Sequence, residues 1–297
     1  MVKTTIGNYL SLVKFSHTIF AMPFALIGFF LGLRQTAFTT SKPWWLLLIF
    51  VVLCMVFARN AAMAFNRWLD KKFDALNPRT SIREIPSGII LGKNAILFVL
   101  INCIAFISTT YFINTVCFIL SPVALFIILF YSYTKRFTQL CHFVLGLGLS
   151  LAPIGAFLAV TGRFNLIPVL FSCSVLCWVS GFDIIYSLQD VDFDQANHLY
   201  SIPAFAGKKN ALIFSLFLHV LSGICIVAAG VAGGFGWLFW IGVVFFLTLL
   251  VYQHKLVKPE DLSKVNLAFF TTNGIASVIF CIFVVLDLLI NHVNNPS

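Results

Sequence analysis

Long apolar runs alternate with polar connections along nearly the whole chain. Many of the runs are long enough to cross about 30 Å of bilayer hydrocarbon as helices. The first run, Phe15 to Leu33, lacks a small-residue cleavage site, so we expect a retained helix rather than a removed signal peptide. The pattern predicts nine spans, at residues 15–34, 43–65, 94–114, 116–131, 140–161, 166–186, 210–231, 235–252 and 266–289. The predicted fold class is therefore an all-α polytopic membrane protein.

Two long polar connections, residues 66–93 and 187–209, interrupt this pattern, while the other turns are short. We expect residues 1–297 to form a single integral-membrane domain. Its polar chemistry should then concentrate in these two connections.

Composition and charge support a lipid-bilayer environment. The chain is 60% hydrophobic and only 10% charged, whereas soluble domains carry about a quarter charged residues. With a cytoplasmic N-terminus, all of the 19 Lys and Arg except Arg34, Lys42 and Arg163 fall on the cytoplasmic side. This asymmetry follows the positive-inside rule. It explains the net charge of +9 without nucleic-acid binding, and it places both polar connections in the cytoplasm.

The eight cysteines lie within or beside apolar segments and form no CxxC pair. They are typical of small buried hydrophobic residues. We expect neither a structural metal nor a disulfide framework.

The acidic residues cluster at the two polar connections. Seven of the ten Asp and Glu lie there: Asp70, Asp74, Glu84, Asp183, Asp190, Asp192 and Asp194. Asn66, Asp70 and Asp74 are spaced i, i+4, i+8, and the same spacing recurs at Tyr186, Asp190 and Asp194. On a helix, that spacing would put each trio on one face.

Carboxylates grouped at the membrane end of a helix need a compensating cation. Their hard oxygen atoms suit Mg²⁺, which also takes water and phosphate oxygens as ligands. A single DxxxD in a loop would be typical of a solvated surface, but two matched copies favour a site. The repeat predicts two pseudo-repeated halves that face each other across a central cavity.

Three stretches resemble the motifs of the UbiA-type intramembrane aromatic prenyltransferases. The first aspartate-rich motif resembles "NRWLDKKFDALNPRTSIREIPSG", the second resembles "DIIYSLQDVDFD", and the YxxxK element resembles "YSYTKR". Within the family, "VKFSHTIFAMPFALIG" and "RNAAMAFNRWLDKKFDALNPRT" are most similar to the 4-hydroxybenzoate polyprenyltransferase-like branch. Ser81-Ile82 and Ser132 depart from the commonest motif forms, and neither change removes a charged residue.

The resemblance implies Mg²⁺-dependent transfer of a polyprenyl chain from polyprenyl diphosphate to a ring carbon of an aromatic acid. The acceptor would be 4-hydroxybenzoate or a similar acid, in respiratory quinone biosynthesis at the bacterial inner membrane. Prenylation of a dihydroxynaphthoate in the futalosine route to menaquinone is the alternative within the branch.

The same resemblance implies roles for particular residues. One Mg²⁺ would be held by Asn66, Asp70 and Asp74, and a second by Asp190 and Asp194 with the support of Asp183. The diphosphate would be clamped by Arg79, Arg83 and Lys135, since fixed cations stabilise charge developing on a leaving group. The Tyr131 hydroxyl would donate a hydrogen bond to the same group.

Arg59 has a different expected role because it lies inside an apolar span, seven residues before Asn66. An ionisable residue at such a position is a functional candidate. We expect Arg59, helped by Lys14, to bind the carboxylate of the aromatic acid, and His17 to reach its hydroxyl. Snorkelling of the Arg59 side chain to the interface is the alternative.

Two other classes combine membrane helices with clustered charge. A membrane transporter of an anionic substrate would fit repeated halves, but transporters place such charges near the bilayer midplane. A CDP-alcohol phosphotransferase would also use Mg²⁺ and aspartates, but its longer motif is absent from the chain.

Overall fold

The computed structural model describes residues 5–13 and 21–294. Within that part of the chain it is helical, without β strands apart from an isolated bridge between Lys258 and Asp261. The α-helices are α1 (Thr5–Leu12), α2 (Met22–Gln35), α3 (Trp44–Leu69), α4 (Lys71–Leu76), α5 (Gly92–Ile113), α6 (Thr115–Thr134), α7 (Cys141–Thr161), α8 (Leu166–Ser187), α9 (Val191–Ala196), α10 (Ile202–Gly233), α11 (Trp237–Leu256) and α12 (Asn273–Asn294). A 3₁₀ turn, Leu188–Asp190, precedes α9, and a π-helical turn, Leu267–Thr272, precedes α12.

Among the described residues, eight helical segments are long and apolar enough to cross a membrane, and α2 is a shorter apolar helix. The prediction of an all-α polytopic membrane protein is confirmed, and about nine spans agrees with these segments. The start of the first predicted span lies outside the described residues.

Local sequence determines several helix boundaries. The Asn114 side chain separates α5 from α6 because its oxygen accepts a hydrogen bond from the Cys117 amide (2.9 Å), which caps α6. Its amide group also donates to the carbonyl of Leu158 in α7 (2.8 Å). This single residue therefore joins three helices at one end of the bundle.

The structure corrects the expectation that each acidic trio lies on one continuous helix. Helix α3 ends at Leu69, Asp70 lies between α3 and α4, and the second trio is interrupted by the 3₁₀ turn that ends at Asp190. Hydrogen bonds with four-residue spacing still run from the Asp70 amide to the Asn66 carbonyl (2.9 Å) and from the Asp74 amide to the Asp70 carbonyl (2.8 Å). The helix is therefore interrupted at Asp70, while Asn66, Asp70 and Asp74 remain neighbours along the chain's helical path.

The seventh predicted span begins earlier than residue 210. Helix α10 begins at Ile202, inside the predicted polar connection, and contains Gly207 with a φ of +80°. Only glycine adopts this conformation readily, so the chain can bend there between a short helical turn and the apolar part of α10.

Close helix packing and buried rings hold the bundle together. Helix α8 packs against both α7 and α10, and α2 packs against α7 and α12. Gly146 allows the α7–α8 contact, because a Cβ there would collide with the Ser180 hydroxyl and lie 2.6 Å from the Leu176 carbonyl. Trp178 is fully buried in an aromatic cluster with Phe24 and Phe246.

Candidate active site

Both acidic motifs line one cavity of about 340 Å³ at the polar ends of the helices. Helices α3 and α4 with the chain that follows them supply one wall, and α8, α9 and the turn between them supply another. The predicted residues that line this polar cavity are Arg59, Asn66, Asp70, Asp74, Arg79, Arg83, Tyr131, Lys135, Asp183, Asp190 and Asp194. The structure therefore brings together every described residue that the sequence assigned to the site.

Ion pairs hold the first motif in place. The Asn66 amide nitrogen donates to Asp70 Oδ2 (3.0 Å). An Arg83 nitrogen, Nη1, donates to both oxygens of Asp74, at 2.7 and 2.9 Å. The side chain of Asp74 is largely buried, so its orientation is fixed by the guanidinium of Arg83.

The second motif is tied to the first connection and to the end of α6. Arg79 Nη2 lies 2.8 Å from both oxygens of Asp190, while its Nη1 donates to the Tyr186 hydroxyl (2.9 Å). Lys135 Nζ lies 2.7 Å from Asp194 Oδ1. The other carboxylate oxygen of Asp194, Oδ2, accepts a hydrogen bond from the Ser201 hydroxyl (3.0 Å). Arg79 therefore links the two motifs across the cavity, and Lys135 ties the second motif to the end of α6.

Burial and neighbouring charges have opposite effects on the pKa values of these groups. Desolvation raises the pKa of Asp70, although its hydrogen bond with Arg136 opposes the change. Burial by itself lowers the pKa of Lys135, but the Asp194 carboxylate outweighs it, and the pKa of Lys135 is raised overall. Lys135 is consequently cationic across the neutral pH range.

Arg136 and His142 pair with aspartates of the cavity but were not predicted as site residues. The sequence marked Arg136 only as a positive charge on the cytoplasmic side, yet its Nη2 lies 2.8 Å from Asp70 Oδ1 and donates to the Leu69 carbonyl (3.0 Å). His142 Nδ1 lies 2.7 Å from Asp183 Oδ2. The adjacent YxxxK element was a signal for Arg136, whereas nothing in the local sequence around His142 indicated its partner.

Arg67 also lines the cavity, but its main contact lies elsewhere. This guanidinium is 2% exposed and pairs with Glu84 at 3.0 Å. Glu84 also accepts a hydrogen bond from Ser11 in α1. The Arg67–Glu84 pair thus anchors the first connection to the helices beneath it.

A second cavity, of about 420 Å³, lies between α3, α5, α6 and α7 and is almost wholly apolar. Its lining along α7 runs from Leu145 to Ala159, a rise of about 21 Å at 1.5 Å per residue. Five residues line both cavities: Arg59, Met63, Tyr131, Leu145 and Leu149. A polar chamber and a long apolar slot therefore share one boundary.

Arg59 and Tyr131 are the polar residues at this boundary. The Tyr131 hydroxyl is within electrostatic range of Asp70, Asp183 and Arg59. Arg59 thus lies beside the chamber rather than at the outer surface. The two residues predicted to assist it, Lys14 and His17, lie outside the described residues.

Among the described residues no three Asp, Glu, His or Cys side chains converge on one point, but the donor types in the polar cavity suit a divalent cation such as Mg²⁺. They are carboxylate and amide oxygens from two opposed elements, which are hard ligands. Lysine and arginine side chains lie among these oxygens at hydrogen-bond distance. Such a mixture of carboxylates and fixed cations suits a metal-bound, multiply charged phosphate better than a metal ion alone.

Comparisons with known proteins agree with this geometry. A model described as the UbiA prenyltransferase family matches residues 21–275. The 4-hydroxybenzoate octaprenyltransferases of Francisella tularensis subsp. mediasiatica (strain FSC147) and Aliivibrio fischeri (strain MJ11) are each 31% identical to the chain. The first similarity covers 80% of the chain and 84% of the relative, and the second covers 80% and 83%.

Solved structures share the fold. The apo structure of a UbiA homolog from Aeropyrum pernix K1 has a TM-score of 0.78 and 28% identity, over 93% of this chain and 98% of the other. A UbiA homolog from Archaeoglobus fulgidus, bound to DMAPP and Mg²⁺, has a TM-score of 0.72 and 19% identity, over 95% and 99%. At that identity the second likeness concerns the fold alone.

Proposed function

The chain belongs to the UbiA prenyltransferase family, and on that premise we propose that it transfers a polyprenyl chain from its diphosphate to a ring carbon of 4-hydroxybenzoate or a similar aromatic acid. The family makes the protein a prenyltransferase, which argues against the transporter alternative. One observation carries the finer proposal: a chamber of paired carboxylates and cations opens onto an apolar slot at Arg59 and Tyr131. Relatives named 4-hydroxybenzoate octaprenyltransferase support the acceptor.

The diphosphate would lie in the polar cavity, with Mg²⁺ ions held by Asn66, Asp70 and Asp74 and by Asp190 and Asp194. When bound, Mg²⁺ neutralises charge that develops on the leaving diphosphate. Arg79, Arg83, Lys135 and, as an addition to the sequence prediction, Arg136 would turn from their carboxylates to the phosphate oxygens. The Archaeoglobus homolog of the same fold is bound to DMAPP and Mg²⁺, which supports the choice of a prenyl diphosphate and Mg²⁺ as ligands but concerns no particular residue.

The residues of the chain would guide the reaction in three ways. The fixed cations stabilise the diphosphate as its bond to the allylic carbon breaks. The apolar slot holds the polyprenyl tail and excludes water from the carbocation, which aromatic ring faces also stabilise. Arg59 would bind the acceptor carboxylate and hold the aromatic ring close to the reacting carbon.

The proposed location is the bacterial inner membrane, with the N-terminus and the polar cavity facing the cytoplasm. The support is the distribution of Lys and Arg along the chain and the bacterial origin of the two octaprenyltransferase relatives. Labelling of single introduced cysteines by a membrane-impermeant maleimide, in a background without native cysteines, tests this orientation. Labelling at the 66–93 connection from the outside of intact cells would contradict it.

The function is tested with purified protein, octaprenyl diphosphate and Mg²⁺. Separate reactions contain 4-hydroxybenzoate, 1,4-dihydroxy-6-naphthoate or no acceptor, and mass spectrometry identifies products. We expect a C-prenylated 4-hydroxybenzoate that requires both Mg²⁺ and the diphosphate. Product only with the naphthoate would move the acceptor to the menaquinone alternative, and no prenylated aromatic in either reaction would refute the aromatic-acid proposal.

A further inference from the structure

Asp183 differs from the other four aspartates of the polar cavity in its partner. Asp70, Asp74, Asp190 and Asp194 each pair with a lysine or arginine. Asp183 pairs instead with the imidazole of His142, at 2.7 Å. His142 is 2% exposed, while the Asp183 side chain remains 22% exposed. The aspartate therefore faces the cavity with a buried histidine behind it.

The contacts of His142 fix its tautomer. The backbone amide of Ile202 donates to His142 Nε2 (3.3 Å), and because an amide only donates, Nε2 carries no proton. The proton of a neutral imidazole then lies on Nδ1, which donates to Asp183 Oδ2. This arrangement holds one oxygen of Asp183 in a fixed direction.

Asp183 lies deeper in the bundle than the proposed metal ligands. Asp183 lies in α8, seven residues before Asp190 at the end of the 3₁₀ turn, and Arg59 precedes Asn66 by seven residues in α3. Seven helical residues span about 10 Å, so Arg59 and Asp183 lie at similar depths, each below its own acidic motif. Both line the polar cavity. An aromatic acid anchored at Arg59 would therefore present its ring to the cavity at the depth of Asp183.

We propose that Asp183 is the base that removes the ring proton of the acceptor, and that His142 is the residue that positions it; this inference rests on the proposed function. The allylic carbon–oxygen bond breaks and its electron pair leaves with the diphosphate. A π pair of the aromatic ring then forms the new carbon–carbon bond. The hydrogen on that ring carbon passes as a proton to the other carboxylate oxygen of Asp183, Oδ1, and its bonding pair restores aromaticity.

Two substitutions at one position separate positioning from structure. His142→Asn places an amide donor near the position of Nδ1, so it keeps the hydrogen bond to Asp183 and loses the contact with Ile202. His142→Gln reaches the position of Nε2, so it keeps an acceptor for the Ile202 amide and loses the donor to Asp183. The two variants thus remove one contact each.

The readout is the kcat of each variant with ordinary 4-hydroxybenzoate and with acceptor deuterated at both carbons next to the hydroxyl-bearing carbon. We expect His142→Gln to lose at least about tenfold in kcat and to show a primary deuterium isotope effect, because proton removal becomes rate-limiting. His142→Asn should retain most of the wild-type kcat and show no isotope effect. The opposite order, or equal kcat values without an isotope effect, would overturn the positioning role.

Asp183→Asn provides a second test if both His142 variants fail to fold. We expect a loss of about a hundredfold or more in kcat, an isotope effect on the residual rate, and an unchanged Mg²⁺ concentration for half-maximal activity. A rise in the required Mg²⁺ without an isotope effect would assign Asp183 to the metal site instead. If wild-type protein forms no prenylated acid, the proposed function itself fails, which is a separate outcome.

Discussion

The carboxylates of the polar cavity combine two properties that rarely occur together. They are buried or half-buried, which disfavours a negative charge, and each of the five proposed metal-binding or catalytic aspartates has a cationic or imidazole partner. Removing one partner from such a pair leaves an uncompensated charge, which costs more than the pair itself contributes. A metal-bound diphosphate can replace both partners at once, because the metal takes the carboxylates and the phosphates take the cations.

The first prediction concerns the charge of Asp190. Asp190→Asn keeps the shape of the side chain but removes the negative charge of a proposed Mg²⁺ ligand that also pairs with Arg79, so we expect product formation to fall by about a hundredfold or more. Asp192→Asn is the matched control, because Asp192 is exposed and does not line the cavity. Equal loss in both variants, measured by product formation at saturating Mg²⁺, would contradict the assigned role.

The second prediction concerns Arg59 at the boundary of the two cavities. Arg59→Met preserves the apolar stem and removes the guanidinium, so we expect the KM for 4-hydroxybenzoate to rise by about tenfold or more, since a charge-assisted contact is lost. The KM for the polyprenyl diphosphate should change little. Steady-state kinetics with each substrate varied in turn measures both values, and an equal rise in the two would show that Arg59 does not discriminate the acceptor.

Sequence patterns predicted the acidic residues better than their partners. The spacing of Asn66, Asp70 and Asp74 indicates that the three residues lie close together. Backbone hydrogen bonds of four-residue spacing keep them close even where the helix is interrupted. The partner of Asp70 is Arg136, in the turn after α6, and the partner of Asp183 is His142, in α7. Such contacts depend on how the helices pack, and a single sequence contains no direct signal for that packing.

At the scale of the elements, apolar length predicted where helices run and polar residues predicted where the chain turns. The separation of α5 from α6 at Asn114 agrees with the predicted boundary because the asparagine caps one helix and reaches a third. The start of α10 was placed too late, because Lys208, Lys209 and Asn210 follow the left-handed Gly207 and interrupt the apolar sequence between the first turn and the long apolar part. Hydropathy identifies the membrane-spanning part of a helix, but not how far the helix extends beyond it.

The third prediction tests the close contact of α7 with α8. Gly146→Ala would place a Cβ against the Ser180 hydroxyl and the Leu176 backbone, so we expect a loss of about 1–3 kcal/mol in stability and a Tm lower by several degrees in detergent. Gly155→Ala in the same helix is the control, since a Cβ there meets no atom within 4 Å. Similar Tm values for the two variants would show that α7 and α8 are not in tight contact at Gly146.

At the scale of the whole molecule, each of the two cavities would hold one part of the proposed substrate, the diphosphate in the polar cavity and the polyprenyl tail in the apolar cavity. The polar cavity collects charged residues from five helical elements and the connections between them, whereas the apolar cavity is built mainly from four spans. Their shared boundary at Arg59 and Tyr131 is the place where an allylic carbon would lie, between a diphosphate on one side and a polyprenyl tail on the other. Bond cleavage, exclusion of water and binding of the aromatic acid would then all take place at this boundary.

The fourth prediction follows from the ion pairs that the metal would have to break. Mg²⁺ alone must displace Arg79, Arg83, Lys135 and Arg136 from their carboxylates, and the displaced cations would lack an anion. We therefore expect Mg²⁺ alone, or a non-hydrolysable prenyl diphosphate analogue with EDTA, to raise the Tm only slightly. The two together should stabilise the protein by about 2–3 kcal/mol when the analogue is present at a hundred times its Kd.

A thermal-shift series in detergent, with Mg²⁺ and the analogue added separately and together, measures this coupling. Ca²⁺ at the same concentration is the control for ionic strength and divalent charge, and Asp190→Asn is the control for the site. Full stabilisation by Mg²⁺ alone would mean that the carboxylates bind metal without exchanging their partners. A shift that appears only with both ligands, and that Asp190→Asn removes, would link the four ion pairs to the binding of the diphosphate as one event.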